Sequence, residues 1–281
     1  MEKIFVIGSG TMGAGIVQTF ASKGYQVILK GRNDSFTKGI AGIQKGLEKL
    51  VKKEKLTEEK KNEILSNISG TNDFNDAADC DLIIEASVED MDIKKKTFGD
   101  LDLICKPETI FASNTSSLSI TEIANSTKRP DKFIGMHFFN PATMMKLVEV
   151  IKAMGTSDKT LQEVTELSIA IGKVPVEVAE APGFVVNRIL VPMINEAVGL
   201  LAEGIATAED IDTSMKLGAN HPMGPLALGD LIGLDVVLAV MDVLYKETGD
   251  SKYRAHSLLR KYVRGGFLGR KTKRGFFGYD R

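Results

Sequence analysis

The sequence predicts an α/β protein, with a parallel sheet, an inserted helical hairpin and a following all-α domain. Apolar runs of strand length alternate with helical patterns up to a break at residues 181–183, and only helical patterns continue beyond it. A glycine-rich turn directly follows the first apolar run. We therefore expect a first domain at 1–183, with the hairpin at about 34–66, and a helical domain at 184–281.

Composition and charge are typical of an ordinary enzyme-sized globular protein. Of the 281 residues, 43% are hydrophobic, and 36 basic side chains stand against 37 acidic ones, so no global field favours nucleic acid or anionic lipid. The first apolar run ends at Gly8, which makes it too short for a signal or membrane segment. Cys80 and Cys105 lack the spacing of a disulfide framework or zinc site. We expect a cytoplasmic protein without metal, nucleic-acid or membrane partners.

The first elements form a βαβ unit. The run KIFVIG is short, apolar and rich in β-branched residues, residues 12–22 have helix-forming composition, and YQVILK repeats the strand pattern. Two strands around one helix, joined by short turns, require parallel pairing with a right-handed crossover.

A charged stretch then interrupts the unit and predicts the helical hairpin. Its apolar residues recur at spacings of three and four, as on one helix face. These residues are Ile40, Ile43, Leu47 and Leu50. After a turn near residues 55–57, Glu58 and Glu59 suit the first turn of a second helix that runs to about residue 64.

The remaining elements follow in order. Strand patterns recur at 67–71, 80–86, 109–113, 132–137, 146–151 and 174–178. Beyond the break, helical patterns cover 184–203, 208–217, 225–231, 234–245 and 256–263. The first of these helices is apolar on more than one face and contains Pro192, so we expect a core helix with a kink or an early break.

The glycine-rich turn has the form GxGxxG, between a predicted strand and a predicted helix. It comprises Gly8, Ser9, Gly10, Thr11, Met12 and Gly13. In a dinucleotide-binding turn the first glycine makes the tight turn, the second admits a pyrophosphate and the third lets helix and strand pack closely. The free amides of the helix then face the anion. The sequence therefore predicts a Rossmann-type sheet that binds a nicotinamide dinucleotide.

The end of the second predicted strand indicates which dinucleotide is bound. NAD-binding sites carry an acidic residue there for the ribose 2′-hydroxyl, whereas this chain has Gly31 and Arg32, with Lys30 nearby. A cation suits a 2′-phosphate, so we predict that NADP(H) is preferred. NAD(H) stays possible, with Arg32 solvated or Asp34 reaching back to the ribose.

His137 is the histidine best placed for acid–base chemistry. It ends the predicted strand KFIGMH, and open α/β sheets bind ligands at such carboxyl ends. Glu149 lies in the apolar strand KLVEVI, where a carboxylate needs a partner. Pairing with Glu149 would fix the imidazole tautomer and stabilise the imidazolium. The alternative is that His137 is a core histidine and that Glu149 is unrelated to it. We interpret the other two histidines, His221 and His256, as structural.

A hydroxyl-rich segment, SNTSS, follows the strand TIFA at another carboxyl end. Ser116 is the candidate ligand of a substrate oxygen. Ser119, three residues before Glu122, fits a helix N-cap instead.

The chain resembles the short-chain 3-hydroxyacyl-CoA dehydrogenases, most of all the bacterial members that act on 3-hydroxybutyryl-CoA. The motifs that carry the resemblance are GSGTMG, SNTSSLSIT, GMHFFNP, KLVEVI, APGFVVNR and GANHPMGP. The likeness runs along the whole chain, with several long motifs in order. It implies interconversion of a (3S)-hydroxyacyl-CoA and its 3-ketoacyl-CoA, such as acetoacetyl-CoA, by hydride transfer with a nicotinamide cofactor. The resemblance also implies a role in short-chain fatty acid and butyrate metabolism.

The resemblance also implies roles for individual residues. His137 and Glu149 match the family's catalytic pair, and Ser116 and Asn187 match its ligands of the substrate oxygen. Further matches to cofactor contacts fall on Glu89, Lys94, Asn140 and Lys271. The departure is at Gly31-Arg32, where common NAD-using members have an aspartate.

The hairpin and the helical domain carry two further expectations. Residues 38–55 hold six lysines against two glutamates, and Lys45, Lys49 and Lys52 share one helix face, where they can bind coenzyme A phosphates. A plain solvated face is the alternative. The first helix of the 184–281 domain is apolar on more than one face, so we expect it to pack against a second subunit. The sequence therefore predicts a homodimer formed through this helical domain, which would also contact the substrate.

Two competing functions stay open from the sequence. A β-hydroxyacid dehydrogenase would share the fold but use a lysine of the helical domain as its acid. A non-catalytic, nucleotide-binding structural relative would lack chemistry altogether, and the intact Ser116, His137, Glu149 and Asn187 speak against it.

Overall fold

The computed structural model describes residues 1–279. The chain divides into two compact units, Met1–Glu180 and Ala181–Arg281. The division lies just before the Ala181-Pro182-Gly183 tripeptide, at which the sequence patterns change. In the described part of the chain, no helix is long and apolar enough to cross a membrane.

The first unit contains one sheet of eight strands with helices between them, which confirms the predicted fold class. Its strands are β1 (Lys3–Ile7), β2 (Gln26–Lys30), β3 (Ile68–Thr71), β4 (Leu82–Glu85), β5 (Ile110–Ser113), β6 (Phe133–Phe138), β7 (Leu147–Lys152) and β8 (Val174–Ala179). Its helices are α1 (Thr11–Ala21), α2 (Ser35–Lys52), α3 (Glu58–Ser66), α4 (Met91–Asp102), α5 (Ile120–Ala124) and α6 (Asp158–Ala170). The strand order is β3-β2-β1-β4-β5-β6-β7-β8.

The sheet is mostly parallel, as predicted, and departs from this arrangement at one strand pair. Strand β7 runs antiparallel to β6, while β7 and β8 are parallel to each other. The physical reason is the short loop 139–146, because a parallel return needs a crossover of about a dozen residues or more. The antiparallel register places His137 directly opposite Glu149.

The helical hairpin is confirmed as α2 and α3. Helix α2 buries Ile43 and Leu47 beside the sheet and leaves its charged residues outside, as the spacing of its apolar residues predicted. Helix α3 begins after Thr57, whose side chain accepts a hydrogen bond from the Lys60 backbone amide. The hairpin is inserted between β2 and β3, and α2 begins shortly after the end of β2.

The second unit is helical in its described residues. Its helices are α7 (Val186–Ala202), α8 (Ala208–Gly218), α9 (Pro225–Ile232), α10 (Leu234–Thr248) and α11 (Ser257–Arg264). Helix α7 continues through Pro192, so the early break that we allowed for does not occur. Its buried face, with Val191, Ile194 and Val198, packs in a core of its own, which stabilises the helix despite the proline. His256 has the structural role expected, since its Nδ1 accepts from Leu258 N at the start of α11.

Candidate active site

The glycine-rich turn between β1 and α1 is built as a dinucleotide-binding turn requires. Gly8 has φ +107°, and a Cβ there would lie 2.4 Å from the Ala86 carbonyl oxygen. A Cβ on Gly13 would lie 1.7 Å from the Gly8 carbonyl oxygen, so helix and turn touch. A Cβ on Gly10, in contrast, would meet no atom within 4 Å. The open side of the turn is therefore at Gly10, where a pyrophosphate would approach the backbone.

The N-terminus of α1 supports the same interpretation. Its N-cap residue, Gly10, makes no side-chain hydrogen bond, and no acidic residue lies in the first turn. Uncapped amides and the positive end of the helix dipole suit an anion. The residues present thus fit a dinucleotide phosphate.

At the end of β2, Arg32 is exposed to solvent, whereas the side chain of Asp34 is bonded to Asn72. Asp34 Oδ1 accepts from Asn72 Nδ2 at 2.5 Å, and the Asp34 amide donates to Asn72 Oδ1 at 3.1 Å. Its carboxylate is therefore bound to the loop after β3. Lys30 lies half-buried with its Nζ 4.1 Å from the centre of the Phe74 ring, and burial and the nearby Arg32 charge lower its pKa.

A Cβ on Gly31 would meet the Phe36 backbone nitrogen at 2.4 Å and Ser35 Oγ at 2.9 Å. An aspartate at this position would therefore require the turn before α2 to move. The close approach of Phe36 and Ser35 is therefore possible only because residue 31 is a glycine.

A buried ion pair that the sequence analysis missed supports the central edge of the sheet. Glu85, at the end of β4, is fully buried, and both of its carboxylate oxygens lie 2.8 Å from Lys94 Nζ. Glu85 also accepts from Ser113 Oγ at 2.8 Å and from the amide and hydroxyl of Ser87 at 2.7 and 2.6 Å. These bonds fix the ends of β4 and β5 together, as a buried charge requires.

Glu89 connects this ion pair to the hydroxyl-rich loop after β5. Its Oε1 accepts from Thr115 Oγ1 at 2.6 Å and from the amide and hydroxyl of Ser116 at 2.9 and 3.2 Å, and its Oε2 lies 3.4 Å from Lys94 Nζ. Burial alone would raise the pKa of Glu89, but Lys94 and these hydrogen bonds lower it below its usual value. An ionised Glu89 therefore orients Ser116.

Asn114 joins that loop to β6. The Asn114 backbone amide donates to the Glu85 backbone carbonyl oxygen at 2.7 Å, and the side-chain Oδ1 of Asn114 accepts from the Phe138 backbone amide at 2.9 Å. The carboxyl ends of β4, β5 and β6 are thereby linked, so the Ser116 loop and His137 lie at the same edge of the sheet. The N-cap predicted for Ser119 is confirmed, since its Oγ accepts from the Glu122 amide.

The predicted His137–Glu149 pair is present. His137 Nδ1 lies 2.7 Å from Glu149 Oε2, and the two residues are only 6% and 1% exposed. With Nδ1 bonded to the carboxylate, Nε2 is the ring nitrogen suited to exchange a proton with a substrate. The Phe139 ring packs against the imidazole with a centroid distance of 4.5 Å.

The loop 139–146, which carries Asn140, is held by a buried ammonium. Lys173 Nζ donates to the carbonyl oxygens of Ala142 and Met145 at 2.5 and 2.8 Å. Burial lowers the pKa of Lys173. Asn140 itself is exposed, beside the end of β6.

Two predicted site residues belong to the second unit. Asn187 lies in the first turn of α7. Lys271 forms an ion pair with Asp235, at 2.6 Å from its Oδ2. Sequence reasoning had no signal for this pair, because the two residues are far apart in the chain.

The three hairpin lysines lie on α2 as predicted, and all three are exposed. Within residues 1–279, neither Lys45, Lys49 nor Lys52 forms an ion pair. The same described residues contain no cluster of three or more His, Cys, Asp or Glu side chains arranged to hold a metal ion.

Comparison with known proteins matches both parts of the chain to one family. Residues 3–181 match the NAD-binding domain of 3-hydroxyacyl-CoA dehydrogenase, and residues 183–279 match the C-terminal domain of the same family. A 3-hydroxybutyryl-CoA dehydrogenase of Clostridioides difficile is 65% identical over 280 residues, which cover 99% of this chain and 100% of that protein.

More distant relatives cover the chain as completely. The human mitochondrial hydroxyacyl-coenzyme A dehydrogenase is 44% identical, over 99% of this chain and 91% of that protein. The crystal structure of an (S)-3-hydroxybutyryl-CoA dehydrogenase from Ralstonia eutropha superimposes with a TM-score of 0.96 at 50% identity, over 100% of both chains.

Proposed function

The chain belongs to the 3-hydroxyacyl-CoA dehydrogenase family, and from that premise we propose that it interconverts (3S)-3-hydroxybutyryl-CoA and acetoacetyl-CoA with a nicotinamide cofactor. We place the reaction in short-chain fatty acid and butyrate metabolism. The observation that carries the proposal is the buried His137–Glu149 pair at the carboxyl edge of a dinucleotide-binding sheet. Relatives of high identity named for this activity support it.

In the proposed oxidation, His137 Nε2 takes the proton of the C3 hydroxyl as the carbon–oxygen double bond forms. When bound, the nicotinamide would supply the hydride acceptor for C3 in this direction and the hydride donor in the reverse direction. Glu149 holds the imidazole in the required tautomer and stabilises the imidazolium. The Ser116 hydroxyl, which donates to Glu89 here, would turn its O–H to the reacting oxygen while the Ser116 amide stays bonded to Glu89, and Asn187 stays a second ligand predicted from the resemblance.

Among the cofactor contacts, Lys94 is better suited to a supporting role than to a direct contact. It is only 1% exposed, and its ammonium is bound to Glu85 and Glu89. We propose that it positions Glu89, while Glu89, Asn140 and Lys271 stay predicted contacts.

The direct test is the absorbance of the reduced cofactor after acetoacetyl-CoA is added to the full-length chain. We expect oxidation of NADPH, NADH or both. A flat trace with both cofactors would favour the non-catalytic relative. The alternative of a β-hydroxyacid dehydrogenase is not supported, because both units match the 3-hydroxyacyl-CoA dehydrogenase family.

We also propose that NADP(H) is preferred. Arg32 is exposed at the end of β2, Lys30 adds a second cation, and Asp34 is bound by Asn72. Arg32→Ala should lower kcat/KM for NADPH by about ten- to a hundredfold, since a charge-assisted contact is worth roughly 1.5–3 kcal/mol. The value for NADH should change little.

Lys38→Ala is the matched control, because Lys38 is another exposed cation close to Arg32 in the chain, in the first turns of α2. It should leave both values unchanged. A wild type that prefers NADH would refute the NADP(H) preference and leave the reaction itself standing. The exchange Gly31→Asp is less informative, since the new Cβ would collide with the Phe36 amide nitrogen.

The exposed face of α2 supports a third proposal, that Lys45, Lys49 and Lys52 bind coenzyme A phosphates. Replacing all three by alanine should raise KM for acetoacetyl-CoA several-fold at low salt, because surface charges are screened as ionic strength rises. The KM for a pantetheine thioester, which lacks the nucleotide, should stay unchanged. Equal effects on both substrates would exclude the phosphate contact.

The second unit leaves several large apolar side chains exposed, and we propose that a second copy of the chain covers them. They are Ile189, Leu217, Leu231 and Val236, of which Leu217 is 82% exposed. The cytoplasmic location expected from the sequence stays a prediction.

A further inference from the structure

The turn that joins β2 to α2 contains a second polar side chain beside Arg32, the hydroxyl of Ser35. Ser35 Oγ accepts a hydrogen bond from the Arg32 backbone amide at 2.9 Å and lies 2.8 Å from Ser9 Oγ, so the two hydroxyls share one hydrogen bond. A hydroxyl has two acceptor sites and one donor. When Ser9 donates that shared bond, the O–H of Ser35 is available to an oxygen of a bound ligand.

The position of this hydroxyl relates it to the adenosine ribose. An ideal Cβ on Gly31 would lie only 2.9 Å from Ser35 Oγ. In NAD-binding sites, the acid that accepts from the ribose hydroxyls stands at the end of this strand. Ser35 thus offers a donor where such a site offers an acceptor. A donor suits a 2′-phosphate, because the charged oxygens of the phosphate can only accept hydrogen bonds.

The turn is held in place before any cofactor binds. Asn33 and Asp34 both have left-handed backbone angles, with φ of 50° and 59°. This uncommon conformation is fixed by Asn72, which bonds to both the amide and the carboxylate of Asp34. A prearranged turn loses little freedom on binding, so its donors contribute more to affinity.

We propose that Ser35 is a second ligand of the cofactor 2′-phosphate, beside Arg32, and therefore a specificity-determining residue. The proposal rests on the proposed function, in which the enzyme prefers NADP(H). Its chemistry is that of a neutral hydroxyl donating to a phosphate oxygen, next to a guanidinium that supplies the charge.

The test uses two probes that differ only in the 2′-phosphate, adenosine 2′,5′-bisphosphate and adenosine 5′-monophosphate. Calorimetry should show that Ser35→Ala binds the bisphosphate about tenfold more weakly than the wild type, with monophosphate binding unchanged. Ser35→Thr keeps the hydroxyl and should retain most of the discrimination. The control is Thr37→Ala, which removes a neighbouring hydroxyl that donates to the Asp34 carbonyl oxygen. It should behave as the wild type.

The outcomes separate this inference from the proposed function. If the wild type discriminates between the probes and Ser35→Ala discriminates equally well, Ser35 is not a ligand and only this inference fails. If Ser35→Ala weakens both probes equally, Ser35 has only a structural role in the turn, and the inference again fails. If the wild type binds both probes alike, the NADP(H) preference is wrong and the inference falls with it, while acetoacetyl-CoA reduction still tests the reaction.

Discussion

His137→Gln is expected to lower kcat by a factor on the order of 10³–10⁴, because it removes the group that exchanges a proton with the substrate oxygen. Glutamine cannot act as a base at neutral pH, but it is polar and of similar size. It can still bond to Glu149, whose carboxylate lies 2.7 Å from the imidazole. We therefore expect the fold and the affinity for the dinucleotide to survive.

The measurement is steady-state reduction of acetoacetyl-CoA, with cofactor affinity determined separately by fluorescence titration. His221→Gln is the control, since His221 lies in the second unit before α9 and we assign it no chemistry. It should keep near-normal turnover. Turnover near that of the wild type in His137→Gln would rule out His137 as the acid–base group.

The glycine-rich turn and the hairpin were predictable because their signals are local. The order strand, GxGxxG, helix is contained in about twenty residues, and the structure assigns Gly8 and Gly13 the roles that this order implies. The amphipathic spacing of Ile43 and Leu47 likewise placed the buried face of α2 correctly. Such patterns depend on neighbouring residues only.

The Glu85–Lys94 pair could not be found in this way. Nothing in the run LIIE says that its last residue is buried, since a glutamate at a strand end is ordinarily solvated. Its burial depends on Ser113 and on α4, which come together only when the sheet is assembled. The hydrogen bonds between Asn72 and Asp34 were equally unpredictable, because they join two loops that are 38 residues apart in the chain.

The direction of β7 is an intermediate case, because its signal was in the sequence. The loop 139–146 is too short for a crossover, and this length alone requires an antiparallel return. The pairing of His137 with Glu149 follows from it, since only an antiparallel partner brings back a residue twelve positions further on. The His137–Glu149 pair is therefore a consequence of the one antiparallel strand pairing within the described sheet.

The second large effect is expected for Glu149→Gln, which should lower kcat by about 10²–10³ and leave His137 in place. The amide keeps the volume and one hydrogen bond, so folding should be little affected. It removes the negative charge that stabilises the imidazolium, and it allows the imidazole to adopt the wrong tautomer. In this buried environment, where Glu149 is 1% exposed, neither loss is compensated by water.

Glu177→Gln provides the control, since Glu177 is an exposed glutamate on the adjacent strand β8, paired in register with Val150. It should leave kcat and the melting temperature unchanged. The decisive comparison is the double variant with His137→Gln, measured in the same assay. If Glu149 acts through His137, the double variant should be scarcely slower than His137→Gln alone, because a positioning residue has no effect once its partner is gone. Fully multiplicative losses would show instead that Glu149 contributes independently of the imidazole.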